Sequence, residues 1–345
     1  MAKKKIIYIL AAALAVLAVA GASLFALMWM DHRSANFTRG QDLYIWPDTP
    51  VQQVFSSLVD SGVVIRPASL KRALKHEGLW DGETKMKPGH YKVDGKVSSY
   101  YAARMLANGW QSPVRLTIAG TIRNKGTIAS RISRQMMTDS VSVMRALEDS
   151  ILLSAFGFTP SNVFSMIIPD TYEVYWTASP DSIFSVFNKA WKKFWTPAND
   201  AKAAELGLTR LQVSTLASIV SGETRYKPEM PSIAGVYLNR LRIGMLLQAD
   251  PTVAFCFDYK PNRILLRHLE IDSPYNTYKY AGLPPGPICS PPRECLEAVL
   301  NPDRNGYLYF CASPALDGTH RFASTYSGHL ANAREFQQAL NARSK

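Results

Sequence analysis

The sequence predicts an α+β protein with an N-terminal transmembrane helix, a small βααβ subdomain and a larger α+β domain. Three observations support this prediction. Residues 6–30 carry no formal charge and are numerous enough to cross a bilayer as one helix. Short strand and helix patterns alternate within 41–110, and longer helical periods lie among short strand candidates within 111–345. With 345 residues, the chain has room for two soluble modules after the apolar segment.

The apolar segment also predicts how the chain is oriented. Three lysines at 3–5 precede it, and positive charge is retained on the cytoplasmic side, so residues 1–5 are expected in the cytoplasm. A cleaved signal peptide is the alternative, because 18–20 resembles a cleavage site. The apolar run continues through Met28, which is longer than an ordinary signal core. We therefore expect 6–30 to be a single-pass anchor in the cytoplasmic (inner) membrane, with the rest of the chain extracytoplasmic, or periplasmic.

The net charge of +12 narrows the classes of partner. A basic surface suits nucleic acid, but an exported domain rarely meets nucleic acid, so we expect none. An anionic polymer or the membrane surface is the partner class that fits the location. Scattered lysines and arginines are also typical of an ordinary solvated surface.

The four cysteines all lie in the C-terminal third of the chain: Cys256, Cys289, Cys295 and Cys311. Outside the cytoplasm they are able to pair, with three connectivities open, and unpaired buried thiols are the alternative. Their spacing matches no zinc-binding pattern, so no metal site is expected.

The module 41–110 has the order strand, helix, helix, strand. Strand patterns cover 42–46 and 90–93, and helical patterns cover 51–59 and 67–76. This order resembles the LysM fold, which binds cell-wall glycans. A small α+β spacer without glycan binding is the alternative.

The larger domain, 111–345, reads as a mixture of short strands and helices. Strands are expected at 114–118, within 167–176, at 307–311 (a buried strand) and at 320–322, and helices near 179–193, 209–222, 231–243 and 327–342. A further helix is expected to start at Ser290-Pro291.

Glu223 stands out at the end of an apolar helical stretch. Val213, Leu216, Ala217 and Val220 form one helical stripe, and Glu223 follows on or beside that face. Gly222 is expected to loosen the helix and open a cleft. Burial of a carboxyl group raises its pKa, which suits a general acid near neutral pH. From this stretch alone, the favoured explanation is a frayed helix end at which Glu223 pairs with Arg225 or Lys227.

Two later stretches add candidate cleft residues. Asp250-Pro251 has the pattern of a helix N-cap followed by proline, whereas Gln248 has no local structural explanation. Residues 273–292 combine Asn276, three tyrosines including Tyr278, and a glycine- and proline-rich loop. Aromatic faces and amides suit sugar rings, although such loops are often purely structural.

Three stretches together resemble the MltG (YceG-like) family of endolytic murein transglycosylases: "LASIVSGET", "IAGVYLNRLRIGMLLQADPTV" and "SPYNTYKYAGLPPGPICSP". The resemblance implies a membrane anchor, a LysM-like subdomain (41–110) and a catalytic domain (111–345). It implies Glu223 as the catalytic acid and places Gln248, Asp250, Asn276 and Tyr278 in the substrate cleft.

The resemblance also implies an activity. It implies cleavage of the bond between N-acetylmuramic acid and N-acetylglucosamine within nascent glycan strands, leaving 1,6-anhydro ends and terminating elongation. No metal or organic cofactor is implied, and peptidoglycan synthases are implied as partners by the resemblance alone. The chain departs from the family pattern at Ser221, where an acidic residue is common, and at 118–120, which lacks a glutamate. Two rivals are a muramidase-type hydrolase with Asp250 as second carboxylate and a catalytically idle wall-binding scaffold.

Overall fold

The computed structural model describes residues 2–82 and 84–343, with the side chains of residues 2 and 3 left out. The expected cytoplasmic segment 1–5 thus lies partly outside the described residues. The chain divides into two compact units. The first comprises Met1–Val114 and Glu173–Thr177, and the second comprises Arg115–Tyr172 and Ala178–Lys345.

The first unit begins with helix α1 (Ala2–Arg33). Its segment Lys4–Arg33 has the length and composition to cross a membrane, and none of its most apolar window is buried in the protein. The expected apolar helix is therefore present.

The remainder of the first unit is a two-stranded antiparallel sheet packed on three helices. Its elements are β1 (Gln41–Ile45), α2 (Val51–Asp60), α3 (Pro67–His76), β2 (Gly89–Val93) and α4 (Ser99–Asn108). The register pairs Gln41 with Val93 and Ile45 with Gly89. Leucines such as Leu58, Leu70 and Leu106 from the helices meet the buried face of this sheet. The predicted βααβ order is observed, and α3 begins where Pro67 fixes the first helical φ.

The second unit is largely helical. Its first elements are β3 (Pro113–Ile118), α5 (Lys125–Ser133), α6 (Ser140–Glu148), α7 (Ser150–Ala155), β4 (Asp170–Tyr175), α8 (Pro180–Phe194) and α9 (Pro197–Glu205). They are followed by α10 (Arg210–Glu223), α11 (Met230–Arg242), α12 (Asp250–Cys256), α13 (Arg293–Leu300), β5 (Tyr309–Ala312), β6 (His320–Ala323) and α14 (Tyr326–Arg343). β3 pairs with β4, and β5 pairs antiparallel with β6. The protein is thus a mixed α+β protein with an N-terminal apolar helix.

Helix α10 is the central helix of the second unit. Thr209 and Gln212 form a capping box at its start, and all nine residues from Val213 to Ser221 are buried. Three of the buried hydroxyl groups, those of Ser214, Thr215 and Ser218, donate to carbonyl oxygens of the helix itself. The fourth, Ser221 Oγ, lies 3.1 Å from Thr121 Oγ1. The expected single apolar stripe was therefore too narrow a description, since helices pack on the polar side of α10 as well.

Two expectations about the C-terminal elements were wrong, and the open question of cysteine pairing has an answer. β5 is half-buried and not buried, because one of its faces supports the largely exposed α14. The helix expected from Ser290-Pro291 begins only at Arg293, after three consecutive residues that continue the extended loop. All four cysteines are free thiols, with Cys289 and Cys295 buried, so the unpaired alternative holds in this structure.

Candidate active site

Glu223 is the last residue of α10. The helix stops there because Thr224 adopts an extended backbone, with φ of −141° and ψ of 149°. The expectation that Gly222 loosens the helix was wrong, because α10 runs through it. A Cβ atom at Gly222 would lie 2.5 Å from Cβ of Pro251, so glycine is needed for the close approach of α12. This approach brings the first turn of α12 beside Glu223.

The Glu223 carboxylate receives a hydrogen bond from a buried tyrosine. Tyr237 Oη donates to Glu223 Oε1 at 2.6 Å, and Tyr237 is only 1% exposed. Tyr237 lies in the middle of α11, where the sequence pattern identified it only as a core residue. Its apolar ring does lie in the core, packed edge-on against Phe310. A core position gives no sign that the hydroxyl group meets a carboxylate from another helix, so sequence reasoning missed this partner.

Burial raises the pKa of Glu223 from its ordinary value of 4.5 to about 7. The hydrogen bond from Tyr237 lowers this pKa, the negative charge of Asp250 raises it, and the positive charge of Arg240 lowers it. The carboxyl group is therefore close to half protonated at neutral pH. This is the property expected of a general acid that must later act as a base.

Arg240, a basic residue in the last turn of α11, is only 7% exposed. Its Nε donates to the Leu308 carbonyl oxygen at 2.7 Å and its Nη1 to the Leu247 carbonyl oxygen at 2.5 Å. Arg240 follows Tyr237 by one helical turn, so the two side chains share a face of α11. The result is a fixed positive charge behind the tyrosine that contacts Glu223.

Asp250 is the first residue of α12 and was wrongly interpreted as its N-cap. Ala249 occupies the N-cap position and makes no side-chain cap. The Asp250 carboxylate instead accepts a hydrogen bond of 2.6 Å from Tyr278 Oη. Burial and this carboxylate together raise the pKa of Tyr278. Two residues singled out in separate stretches of sequence are thus direct partners in the structure.

The segments around Gln248 and Asn276 lie side by side. The Gln248 backbone N–H donates to the Thr277 carbonyl oxygen at 3.0 Å, and Gln248 is exposed with a left-handed φ of 49°. Asn276 is fully buried, and its Nδ2 donates to the carbonyl oxygens of Leu269 and Ile271. Its Oδ1 accepts from the Tyr278 backbone N–H at 3.0 Å. Asn276 therefore holds the loop that presents Tyr278, and does not offer its amide to the cleft.

Two grooves meet at Glu223. The first, called here the Asp250 groove, has a volume of about 370 Å³, and its walls include Arg123, Glu223, Asp250, Pro251, Tyr259 and Arg263. The second, called the His320 groove, has a volume of about 680 Å³, and its walls include Glu223, Thr224, Tyr226, Leu316, His320 and Phe336. A linear polymer lying in both grooves would place an internal bond at Glu223.

Strained backbone lies beside both grooves. Among the described residues, five that are not glycine have positive φ: Asp48, Gln248, Asp258, Tyr259 and Leu316. Tyr259 and Leu316 line the grooves themselves, and two others are within two residues of a lining residue. Such conformations cost about 1–3 kcal/mol each and concentrate at functional sites. Their position supports the two grooves as the functional site.

His320 has a structural partner in the second groove. Its backbone N–H donates to Glu229 Oε1 at 2.9 Å, and its Nδ1 lies 2.8 Å from Glu229 Oε2. This pair ties the start of α11 to β6. Glu229, the acidic residue that follows Glu223 most closely in sequence, therefore has a structural role.

Comparison with known proteins places this chain in one family. The chain belongs to the YceG-like family, whose model matches residues 43–335. A crystal structure of a YceG-like protein from Listeria monocytogenes superposes with a TM-score of 0.55 at 24% identity, covering 85% of this chain and 98% of that one. That likeness supports the shared fold.

Two curated relatives carry the name endolytic murein transglycosylase. The Bacillus subtilis (strain 168) protein is 33% identical over 216 residues, which are 59% of this chain and 59% of that protein. The Streptococcus pneumoniae serotype 2 (strain D39) protein is 25% identical over 317 residues, which are 83% of this chain and 56% of that protein. The chain thus spans less than two thirds of the length of the curated relatives it matches.

Proposed function

We propose that this protein is an endolytic peptidoglycan lytic transglycosylase with Glu223 as its catalytic acid and base. The observation that carries the proposal is a carboxyl group with a pKa of about 7 at the meeting point of two open grooves. The names of the curated relatives support the reaction class and murein as the polymer.

In the first step, protonated Glu223 donates its proton to the glycosidic oxygen between N-acetylmuramic acid and N-acetylglucosamine. The bond from this oxygen to the anomeric carbon of the muramic acid breaks, and the ring develops oxocarbenium character. The hydrogen bond from Tyr237 stabilises the carboxylate that remains, since a donor favours the charged form.

In the second step, the 6-hydroxyl group of the same muramic acid attacks its anomeric carbon and closes a 1,6-anhydro ring. The Glu223 carboxylate accepts the hydroxyl proton and is thereby returned to its starting state. No water is consumed, so no carboxylate is needed to activate one. The hydrogen bond from Tyr278 to Asp250 supports this division of roles, because it engages the other acid of the groove.

The remaining cleft residues are proposed to bind and orient the strand. Gln248 is exposed and supplies an amide whose side chain makes no hydrogen bond to another described residue, and Tyr278 supplies a half-buried aromatic ring. Asn276 acts through the loop that it holds. Because Glu223 lies between two grooves, the strand extends on both sides of the cleaved bond, which supports endolytic cleavage.

The proposed place of action is the outer face of the cytoplasmic membrane. Helix α1 would anchor the chain with residues 1–5 in the cytoplasm, and the catalytic domain (111–345) would face the wall. We propose that the βααβ part of 41–110 is a LysM-like glycan-binding subdomain. An enzyme tethered there meets nascent strands as synthases extend them, so its cleavage would terminate elongation.

The test is Glu223→Gln in the purified full-length protein, with isolated uncrosslinked glycan strands and mass analysis of the products. The wild type is expected to release 1,6-anhydro ends, and the variant is expected to lose this activity. Undiminished release by the variant contradicts the assignment of Glu223. Reducing ends in place of anhydro ends would indicate a hydrolase, and strand binding without cleavage by the wild type would indicate a scaffold.

A further inference from the structure

Two arginines line the Asp250 groove, and neither takes part in the reaction described above. Arg123 and Arg263 are both exposed and both contribute to the groove that starts at Glu223. Neither forms an ion pair with any residue in the described parts of the chain. Guanidinium groups bind carboxylates and phosphates through paired hydrogen bonds, so the groove offers an anion two unused cations.

Arg123 is held in place from its backbone to its head group. The preceding residue, Ile122, is fully buried, and its carbonyl oxygen accepts from the Ser290 backbone N–H at 2.9 Å. The Arg123 guanidinium carbon lies 4.8 Å from the centre of the Tyr259 ring. Tyr259 Oη donates to the Ile288 carbonyl oxygen at 2.7 Å, which fixes the ring. A cation held on an aromatic face is already oriented for a ligand in the groove.

The ring beneath Arg123 is presented by a strained turn. Asp258 and Tyr259 follow α12 with φ of 53° and 57°, and consecutive left-handed residues other than glycine are uncommon. Backbone of this kind persists where the surrounding structure enforces it and is concentrated at ligand sites. The strained turn directs the Tyr259 side chain towards Ile288. The Tyr259 ring therefore lines the Asp250 groove beneath the Arg123 guanidinium group.

The glycan backbone itself carries no formal charge on its hydroxyl, ether and acetamido groups. Its negative charges lie on the 3-O-lactyl arm of N-acetylmuramic acid, either as a free lactyl carboxylate on a stripped strand or as carboxylates of an attached peptide. Resting on the function proposed above, we propose that Arg123 and Arg263 form a carboxylate subsite that binds this arm. The subsite selects muramic acid units next to Glu223 and distinguishes peptidoglycan from an uncharged amino-sugar polymer.

The experiment measures kcat/KM of the full-length protein for cleavage of three substrates. They are uncrosslinked strands with peptides, the same strands stripped by an amidase, and stripped strands whose carboxylates are converted to methyl amides. Arg123→Gln, Arg263→Gln and the double variant are measured beside Arg145→Gln. Arg145 is an exposed arginine on α6 away from both grooves, so its replacement removes the same charge.

The double variant is expected to lose about ten-fold in kcat/KM on carboxylate-bearing strands, mainly through KM, and little on the methyl-amide strands. Loss confined to peptide-bearing strands assigns the anion to the peptide, and loss that persists on stripped strands assigns it to the lactyl carboxylate. An equal effect on all three substrates, or none, overturns the subsite. Because Arg263 is exposed, its single variant is expected to fold and keeps the test valid if loss of Arg123 disturbs folding.

Binding separates this inference from the function on which it rests. In the Glu223→Gln background, binding of carboxylate-bearing strands should weaken by a similar factor when both arginines are replaced. If the wild type cleaves none of the strands but its binding of them still depends on the arginines, the subsite is retained and the transglycosylase is refuted. Cleavage that is indifferent to the arginines would retain the enzyme and refute the subsite.

Discussion

Burial of the Glu223 carboxyl group predicts that Glu223→Gln stabilises the folded protein at pH 8 and has little effect on its stability at pH 4. The folded-state pKa of about 7 lies above the ordinary value of 4.5, so the folded protein holds this proton more tightly than the unfolded chain. The resulting stability is fully present below pH 4.5 and is lost as the pH rises through 7. Glutamine is neutral at every pH and does not lose it.

The difference between 4.5 and about 7 corresponds to about 3 kcal/mol of unfolding free energy. Glu223 is half-buried and borders two open grooves, so solvent reduces this amount, and we expect about 2 kcal/mol. For a unit of this size, that gain raises the unfolding midpoint by about 4–8 °C at pH 8. The hydrogen bond from Tyr237 is retained, because the glutamine oxygen also accepts.

The measurement is thermal unfolding of the full-length protein in detergent at pH 4 and pH 8. Taking the difference in unfolding midpoint between variant and wild type removes the contributions of titrating groups that the two proteins share. Glu173→Gln, at an exposed position of β4, is the matched control and should shift neither midpoint. An equal shift at both pH values, or a variant less stable at pH 8, would refute the reasoning.

Four further predictions concern Glu223 and the residues around it. In the wild type, kcat/KM should fall as the pH rises above about 7, because the acid step needs protonated Glu223. Tyr237→Phe removes a hydrogen bond that lowers the pKa of Glu223, so the fall in kcat/KM should move to higher pH. The same variant should lose about ten-fold or more in kcat. Asp250→Asn removes a negative charge that raises the pKa, so the fall should move to lower pH, and an unchanged profile would contradict this coupling. Gly222→Ala would place a Cβ atom 2.5 Å from Cβ of Pro251, so it should destabilise the protein by about 1–3 kcal/mol in urea unfolding and reduce activity, and wild-type stability and activity would contradict the close packing.

The helices were the most predictable part of the fold, because their signals are local. The expected helix 67–76 matches α3, where proline occupies the first position, and the expected 209–222 matches α10 within one residue. The closing helix 327–342 likewise corresponds to α14. The burial of β5 was not predictable in the same way, because it depends on which element covers each face of a strand.

The candidate site was only partly readable from the sequence. The local pattern singled out Glu223 as an acid at the end of an apolar stripe, and the resemblance to the family motif indicated its catalytic role. The hydrogen bond between Asp250 and Tyr278 was not predicted. The local pattern of aspartate before proline indicates a helix cap, and Tyr278 lies 28 residues further along the chain. The contact of Tyr237 with Glu223 was not predicted either, because Tyr237 has the spacing of a core residue. Its ring is indeed buried in the core.

The contacts of Glu223 also explain why one carboxyl group can serve both steps of the proposed reaction. Burial alone would favour the protonated form and make a good acid but a reluctant base. Tyr237 and Arg240 oppose burial, since both stabilise the carboxylate, and Asp250 acts with burial. A pKa near 7 is the balance of these effects, and it keeps both protonation states accessible during turnover.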